Sequence, residues 1–283
     1  MKREEATRLV ENGIAKLNEA LQSGRSETLE RFLATLARFH NYSFGNAILI
    51  WSQKPDATQV AGFHAWRKLG RFVKKGEHGI AILAPMVSRK DREHGVPDRA
   101  ADKSDLIFGF RVAYVFDVAQ TDGEPLPDFA DAIGDPGDWL SRLEKSIREA
   151  GIELEYDFVP NGALGCSLPG KIMVRPDLAP SEKFSVLAHE FAHELLHQRS
   201  ERRKETNRRI RETEAEAVAY AVCLACGIDS TARSADYIQL CRGDEETLKE
   251  SLSFVQHAAT HIIQLIHTQP DPTNGHYNAV VAA

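Results

Sequence analysis

Residues 180–196 read PSEKFSVLAHEFAHELL, and this run decides what the back half of the chain can be. Pro180-Ser181-Glu182 is a helix-start signal. Phe184, Leu187, Ala188, Phe191, Ala192, Leu195 and Leu196 then give the helix a broad apolar surface that belongs in a core. Inside that apolar element stand His189, Glu190 and His193, polar groups that need a reason to be there. Imidazoles four residues apart project from one face of a helix, about one turn apart, and can grip one ion. Glu190 lies one residue round from His189, where it meets a metal-bound water rather than the metal.

This is the zincin arrangement, in which a Lewis-acid ion lowers the pKa of its water toward ~7 and a glutamate takes the proton. A catalytic zinc needs a third protein ligand and an open position for water. The metzincin pattern puts a third histidine ten residues after the first, but that position is Arg199. His197 lies one further turn along the same face, too far along the axis to share the ion easily, and reads as a helix-end or partner histidine. The better source is Arg211-Glu212-Thr213-Glu214-Ala215-Glu216-Ala217. On a helix Glu212 and Glu216 share a face while Glu214 points away. One of the pair can then ligate the ion and the other hold a ligand histidine, and spacing leaves both assignments open. Ala215, Ala217, Val218, Ala219 and Val222 make the surrounding helix small and apolar, where carboxylates are costly without a cation. Two imidazoles and a carboxylate favour Zn²⁺, although manganese or cobalt fits the same ligands.

At 283 residues the chain exceeds the usual single-domain size, so two domains are expected. No run approaches the ~20 apolar residues of a membrane span, so no membrane partner is expected. The start, MKREEATRLV, lacks the apolar core of a secretory signal, and four cysteines form no disulfide framework; a reducing cytoplasm is the expected location. Net charge is −6 but unevenly spread. Residues 1–127 hold 19 Lys and Arg against 16 Asp and Glu, net +3, and residues 128–283 hold 16 against 25, net −9. Such asymmetry hints at a nucleic-acid-binding portion joined to something else.

Helical spacing covers residues 3–22 and 26–41, and Asn46–Ser52 continues the apolar pattern before a breaker at Lys54–Thr58. Ile80–Pro85 and Phe108–Val118 are β-rich, with Ser88–Lys103 between them read as a loop. Gly123–Gly137 has linker composition. A helix over Asp138–Ala150 follows, then strands at Glu153–Val159 and Gly170–Arg175, and helices at Glu205–Ala225 and Glu245–His267. The expected fold is α+β in two domains, 1–127 and 138–283, joined by a linker at 128–137.

His64–Gly79, HAWRKLGRFVKKGEHG, sets Arg67, Lys68, Arg71, Lys74 and Lys75 among Phe63, Trp66 and Phe72, with Glu77 the only acid. Cations neutralise phosphates while aromatic faces stack on unpaired bases, each stack contributing ~1–3 kcal/mol without demanding sequence. Composition fits equally a solvated helix with Trp66 and Phe72 in the core. Cys223 and Cys226 form a CxxC inside an apolar helix that stops at Gly227, and read as core residues. No GxGxxG, Walker loop or GxSxG motif is present. Asp236-Tyr237 and Gly243-Asp244 read as turn and cap residues.

His189-Glu190-x-x-His193 followed by Glu212-Thr213-Glu214-Ala215 resembles the ImmA/IrrE-type metallopeptidases. The resemblance implies a gluzincin-like zinc site with Glu212 as third ligand, Glu216 behind the ligands holding a ligand histidine, and Glu190 as general base in the hydrolysis of a peptide or protein substrate. The front half resembles the single-stranded-DNA-binding domain of ArdC-type antirestriction proteins. The matching residues are Tyr42-Ser43-Phe44-Gly45-Asn46, Pro55-Asp56-Ala57-Thr58, Val60-Ala61-Gly62-Phe63, Trp66, Gly70-Arg71, Lys75–Ile80 and Val115-Phe116-Asp117. That resemblance implies single-stranded DNA as a partner, held by Trp66, Arg67, Lys68, Arg71, Lys74 and Lys75, and a role in antirestriction or in regulation on a mobile element or phage. The competing reading is a DNA-binding protective protein whose zinc site is structural or vestigial.

Overall fold

The computed structural model describes residues 2–23, 26–88, 106–124, 136–159, 163–198, 200–228 and 245–268. Helices α1 (Arg3–Gln22) and α2 (Ser26–Arg38) open the chain, and α3 (Phe44–Gln53) starts at Ser43, whose side chain accepts from the Asn46 amide. Strand β1 (Val60–Gly62), helix α4 (Phe63–Lys68), and strands β2 (Arg71–Val73), β3 (Ile80–Ser88), β4 (Leu106–Asp117) and β5 (Thr121–Gly123) complete the front unit. An antiparallel sheet in the order β1-β4-β3 holds it together, with β2 and β5 paired as a separate short ribbon.

An outer strand leaves backbone groups without partners, a liability unless something covers them. Here α3 covers the edge of β3. Asn46 Nδ2 donates to Leu83 O at 2.9 Å while its Oδ1 accepts from Leu83 N at 2.8 Å, and Gln53 does the same for Ala81 at 2.9 and 3.0 Å. At the end of β4 the buried Asp117 carboxylate accepts from the amides of Thr58, Gln59 and Ala119. Asn46, Thr58 and Asp117, three residues that carry the front-half resemblance, therefore act as architecture.

The back unit comprises α5 (Asp138–Glu149), β6 (Glu153–Tyr156), β7 (Gly165–Leu168), β8 (Lys171–Val174), α6 (Pro180–His193), α7 (Arg202–Glu205), α8 (Arg208–Ala225) and α9 (Glu245–His267). A π-helical turn, Glu194–Gln198, extends α6. Its sheet runs β6-β8-β7, with β6 parallel and β7 antiparallel to β8. Strand β7 was not expected: Gly165-Cys166-Ser167-Leu168 lacks the alternation of a half-buried strand. It turns into β8 through Gly170, at φ 80°, a left-handed conformation that favours glycine. The Gly170 amide donates to the fully buried Glu194 carboxylate at 3.2 Å, which ties this turn to the end of α6.

Both units are α+β, as expected. Their cores are not separate. The main buried cluster runs from Leu17, Phe32 and Leu33 at the front through Phe184 and Phe191 of α6 to Val218 of α8 and Ile262 of α9. A smaller cluster, Phe39, Ile50, Val60, Ile80, Ile82 and Val115, lies under the front sheet. Side chains of α9 also reach the α2–α3 turn, Gln256 Nε2 donating to Tyr42 O at 2.7 Å and Thr260 Oγ1 to His40 O at 3.1 Å. Residues 128–135 of the expected linker lie outside the described residues, as do the loop expected at Ser88–Lys103 beyond Ser88, Asp236-Tyr237 and Gly243-Asp244. Among the described residues no helix is long and apolar enough to cross a membrane.

Phe32 is fully buried and meets Trp51 and Phe44 edge-on, at 5.6 and 6.2 Å between ring centroids. Phe32→Ala is expected to cost about 3–5 kcal/mol of stability, read as a lowered denaturation midpoint in tryptophan fluorescence. An unchanged midpoint would refute the packing described for α2.

Candidate functional site

Helix α6 packs along α8, and both carry buried alanines, Ala188 and Ala192 on α6 and Ala215 and Ala219 on α8, whose small side chains allow a close approach. The approach brings His189 and His193 of α6 to face Glu212 of α8. His189 Nε2 lies 3.1 Å from His193 Nε2, and Glu212 Oε2 lies 3.6 Å from each. A tetrahedral ion with bonds of ~2.1 Å separates its ligand atoms by about 3.4 Å, so the three edges match the spacing that such an ion requires. Among the described residues this is the group of His and carboxylate atoms clustered closely enough to hold a metal ion. Glu212 is half exposed, which leaves the cluster open to solvent on one side.

Electrostatics agree with a cation at this point. Burial works against a charge on His189, but Glu212 and Glu216 outweigh it and push the ring up to about 9. The Glu212 carboxyl is held far below the usual carboxylate range by His189 and His193. Glu216, one turn after Glu212, sets its Oε2 3.3 Å from His189 Nδ1, on the side of the ring away from the cluster. The two expected glutamates thus fall in distinct places, Glu212 at both imidazoles and Glu216 behind one of them.

Glu190 is buried beside the cluster, 7% exposed. Strand β7 crosses it so closely that a methyl group on Gly165 would lie 3.0 Å from Glu190 Cγ and Oε1 and 2.6 Å from Val186 Cγ1. His197 was expected at the helix end or beside a partner, and it has partners on both sides. Its Nδ1 lies 3.0 Å from His193 Nδ1 and its Nε2 2.9 Å from Glu214 Oε2. Burial pushes the His197 ring below the usual imidazole value. Glu214 points away from the cluster and is fully buried; burial alone would raise its carboxyl, yet His197 and Arg202 hold it below the usual range. Sequence reasoning missed Arg202, which lies before α8 and carries no motif. Cys223 and Cys226 are buried free thiols, and burial pushes Cys223 up to about 12, so both behave as core residues.

The front-half residues separate into two groups. Trp66 is 2% exposed and its indole Nε1 donates to Phe116 O at 2.8 Å, so its ring offers no face to a base and its expected stacking role is corrected to a core one. Arg71 pins β2 to β5, donating to Thr121 Oγ1 at 2.8 Å and Thr121 O at 3.1 Å. Lys74 Nζ donates to Ala119 O at 3.0 Å. Arg67, Lys68 and Lys75 are exposed. Among the described residues of the front unit the exposed rings are instead Phe63, Phe72, Phe110 and Tyr114. Tyr114 carried no signal, because an aromatic in a β-rich run that also holds Phe108, Phe110 and Phe116 reads as core.

Comparisons with known proteins place these features in context. Residues 4–116 match the N-terminal domain of anti-restriction factor ArdC, and residues 155–226 match the IrrE N-terminal-like domain, Peptidase_M78. The chain is similar to the metal-free crystal structure of antirestriction ArdC protein from R388 plasmid, with a TM-score of 0.54 and 16% identity over 93% of this chain and 99% of that one. The Mn(II)-bound structure of the same protein gives 0.53 and 18%, over 92% and 98%. At these identities the likeness is one of fold. No curated protein sequence matches.

Gly165→Ala must displace Val186 or Glu190, and such overpacking is expected to cost about 1–3 kcal/mol. Chemical denaturation measures it; wild-type stability in this variant would contradict the close crossing of β7 over α6.

Proposed function

We propose that this chain, an ArdC-type two-domain protein, is a zinc-dependent peptidase whose front half binds single-stranded DNA, in the service of antirestriction. The peptidase reading rests on the convergence of His189, His193 and Glu212 from two helices at 3.1–3.6 Å. Two nitrogens and one carboxylate oxygen suit Zn²⁺, and Mn²⁺ accepts the same donors; the Mn(II)-bound R388 ArdC structure supports a cation in this fold. When bound, the ion supplies Lewis acidity, polarising a carbonyl and lowering the pKa of water toward ~7.

The chain's own residues do the rest. Glu190 takes the proton from the attacking water and returns it to the departing amine, so peptide-bond cleavage is balanced without another acid. Glu216 holds the ring of His189 in place. Strand β7 is one of the two edge strands of its sheet, the one against α6, and an extended peptide laid along it runs past Glu190 at Gly165. In the front half, Arg67, Lys68 and Lys75 meet phosphates, and Phe63, Phe72 and Tyr114 serve as stacking faces in place of Trp66.

Glu190→Gln should retain one ion per chain and lose cleavage of a substrate by a factor of about 10² or more, measured by proteomic comparison of cells carrying wild type or variant. Equal cleavage by both would overturn the mechanism. Antirestriction that survives this change would assign protection to the DNA-binding half alone. Replacing Arg67, Lys68 and Lys75 together by Ala should reduce the slope of log affinity against log salt by about 2 for single-stranded DNA. An unchanged slope would remove these cations from the interface.

A further inference from the structure

Beyond the three ligand positions, a buried polar chain runs from His193 away from the site. His193 Nδ1 faces His197 Nδ1 at 3.0 Å, and His197 Nε2 faces Glu214 Oε2 at 2.9 Å. Glu214 Oε1 accepts from Arg202 Nη2 at 2.6 Å, and Arg202 Nη2 also donates to Ser251 Oγ of α9 at 3.0 Å. Arg202 Nη1 lies 3.0 Å from Glu250, and its guanidinium stacks 4.5 Å from the centroid of Phe254. His197, Glu214, Arg202 and Ser251 are all at most 3% exposed. Four elements, α6 with its π-helical turn, α7, α8 and α9, contribute to this chain.

The directions of its hydrogen bonds follow from the Glu214 carboxylate. A carboxylate only accepts, so His197 Nε2 carries the hydrogen that faces Glu214. The neutral ring then presents a lone pair at Nδ1. His193 must therefore carry its hydrogen on Nδ1 and donate it, which leaves His193 Nε2 as the lone pair aimed at His189 Nε2 and Glu212. Arg202 only donates, so Glu214 accepts from Arg202 at Oε1 and from His197 at Oε2 and, as a carboxylate, returns no hydrogen to His197.

We propose that His197, held by Glu214 and Arg202, is a positioning residue that fixes the tautomer and the ring plane of His193 and thereby sets the affinity of the site for a divalent cation. This rests on the reading of His189, His193 and Glu212 as the metal site. The two imidazoles are supported differently. His189 has a carboxylate, Glu216, directly behind it, whereas His193 reaches its carboxylate through a second imidazole. The π-helical turn at Glu194–Gln198 forms the segment that carries His197. Because Ser251, Glu250 and Phe254 belong to α9, the orientation of a ligand is anchored by the helix that also contacts the α2–α3 turn.

The test is the affinity of the intact chain for Zn²⁺, by competition with a chromogenic chelator, with the melting temperature of the metal-free protein measured alongside. His193→Ala reports on the ligand itself. His197→Leu removes both hydrogen bonds at similar volume and should weaken Zn²⁺ binding about 10–100-fold. His197→Gln, which can accept and donate across a similar span, should recover part of that loss. Should the leucine variant fail to fold, Glu214→Gln tests the same link and should weaken binding in the same direction. Wild-type affinity in folded His197→Leu and Glu214→Gln, with His193→Ala lacking the ion, would overturn the positioning role alone. A wild-type chain that takes up no ion would overturn the metal site and this proposal together.

Discussion

Two imidazole nitrogens 3.1 Å apart, with one carboxylate oxygen 3.6 Å from each, form a cluster that calls for positive charge at its centre. The electrostatics carry the same demand: the His189 ring is pushed up to about 9 between Glu212 and Glu216, and Glu212 is held low by the two rings. Most of the back unit serves to hold these groups in that position. Alanines let α6 and α8 approach, Glu216 backs one ring, and the polar chain through His197 backs the other. Carboxylates buried this deeply cost several kcal/mol unless paired, and Glu214 meets that requirement with His197 and Arg202.

How much of this was legible varies with the range of the interactions. His189, Glu190 and His193 were legible because a helix sets residues four apart on one face. The same periodicity put Glu212 and Glu216 on one face of α8 and turned Glu214 the other way. It could not show what Glu214 turns toward, because Arg202 comes from α7 and Ser251 from α9. Trp66 was misread for the same reason. Cations around an aromatic look like a nucleic-acid platform, and only the bond to Phe116 O, fifty residues on, shows the ring to be inside.

The two-unit α+β plan was legible from the order of helical and β-rich runs, while the fused core was not. Composition marks a boundary along the chain, yet α1 and α2 bury their apolar faces against the same cluster as α6, α8 and α9. The smaller cluster lies under the front sheet, whose edge and strand ends are secured by Asn46, Gln53 and Asp117. A front unit built in this way positions its exposed rings and cations on a base continuous with the core around His189, His193 and Glu212. Helices α8 and α9 both reach the front unit, α8 packing on α2 and α9 bonding to Tyr42 and His40 while its Ser251 meets Arg202.

The most direct measurement is anomalous diffraction at the zinc edge from crystals of the intact chain grown with one equivalent of Zn²⁺. One strong peak within bonding distance of His189 Nε2, His193 Nε2 and a Glu212 oxygen is the predicted result. A map without a peak at that point, or with zinc bound by other residues, would contradict the account.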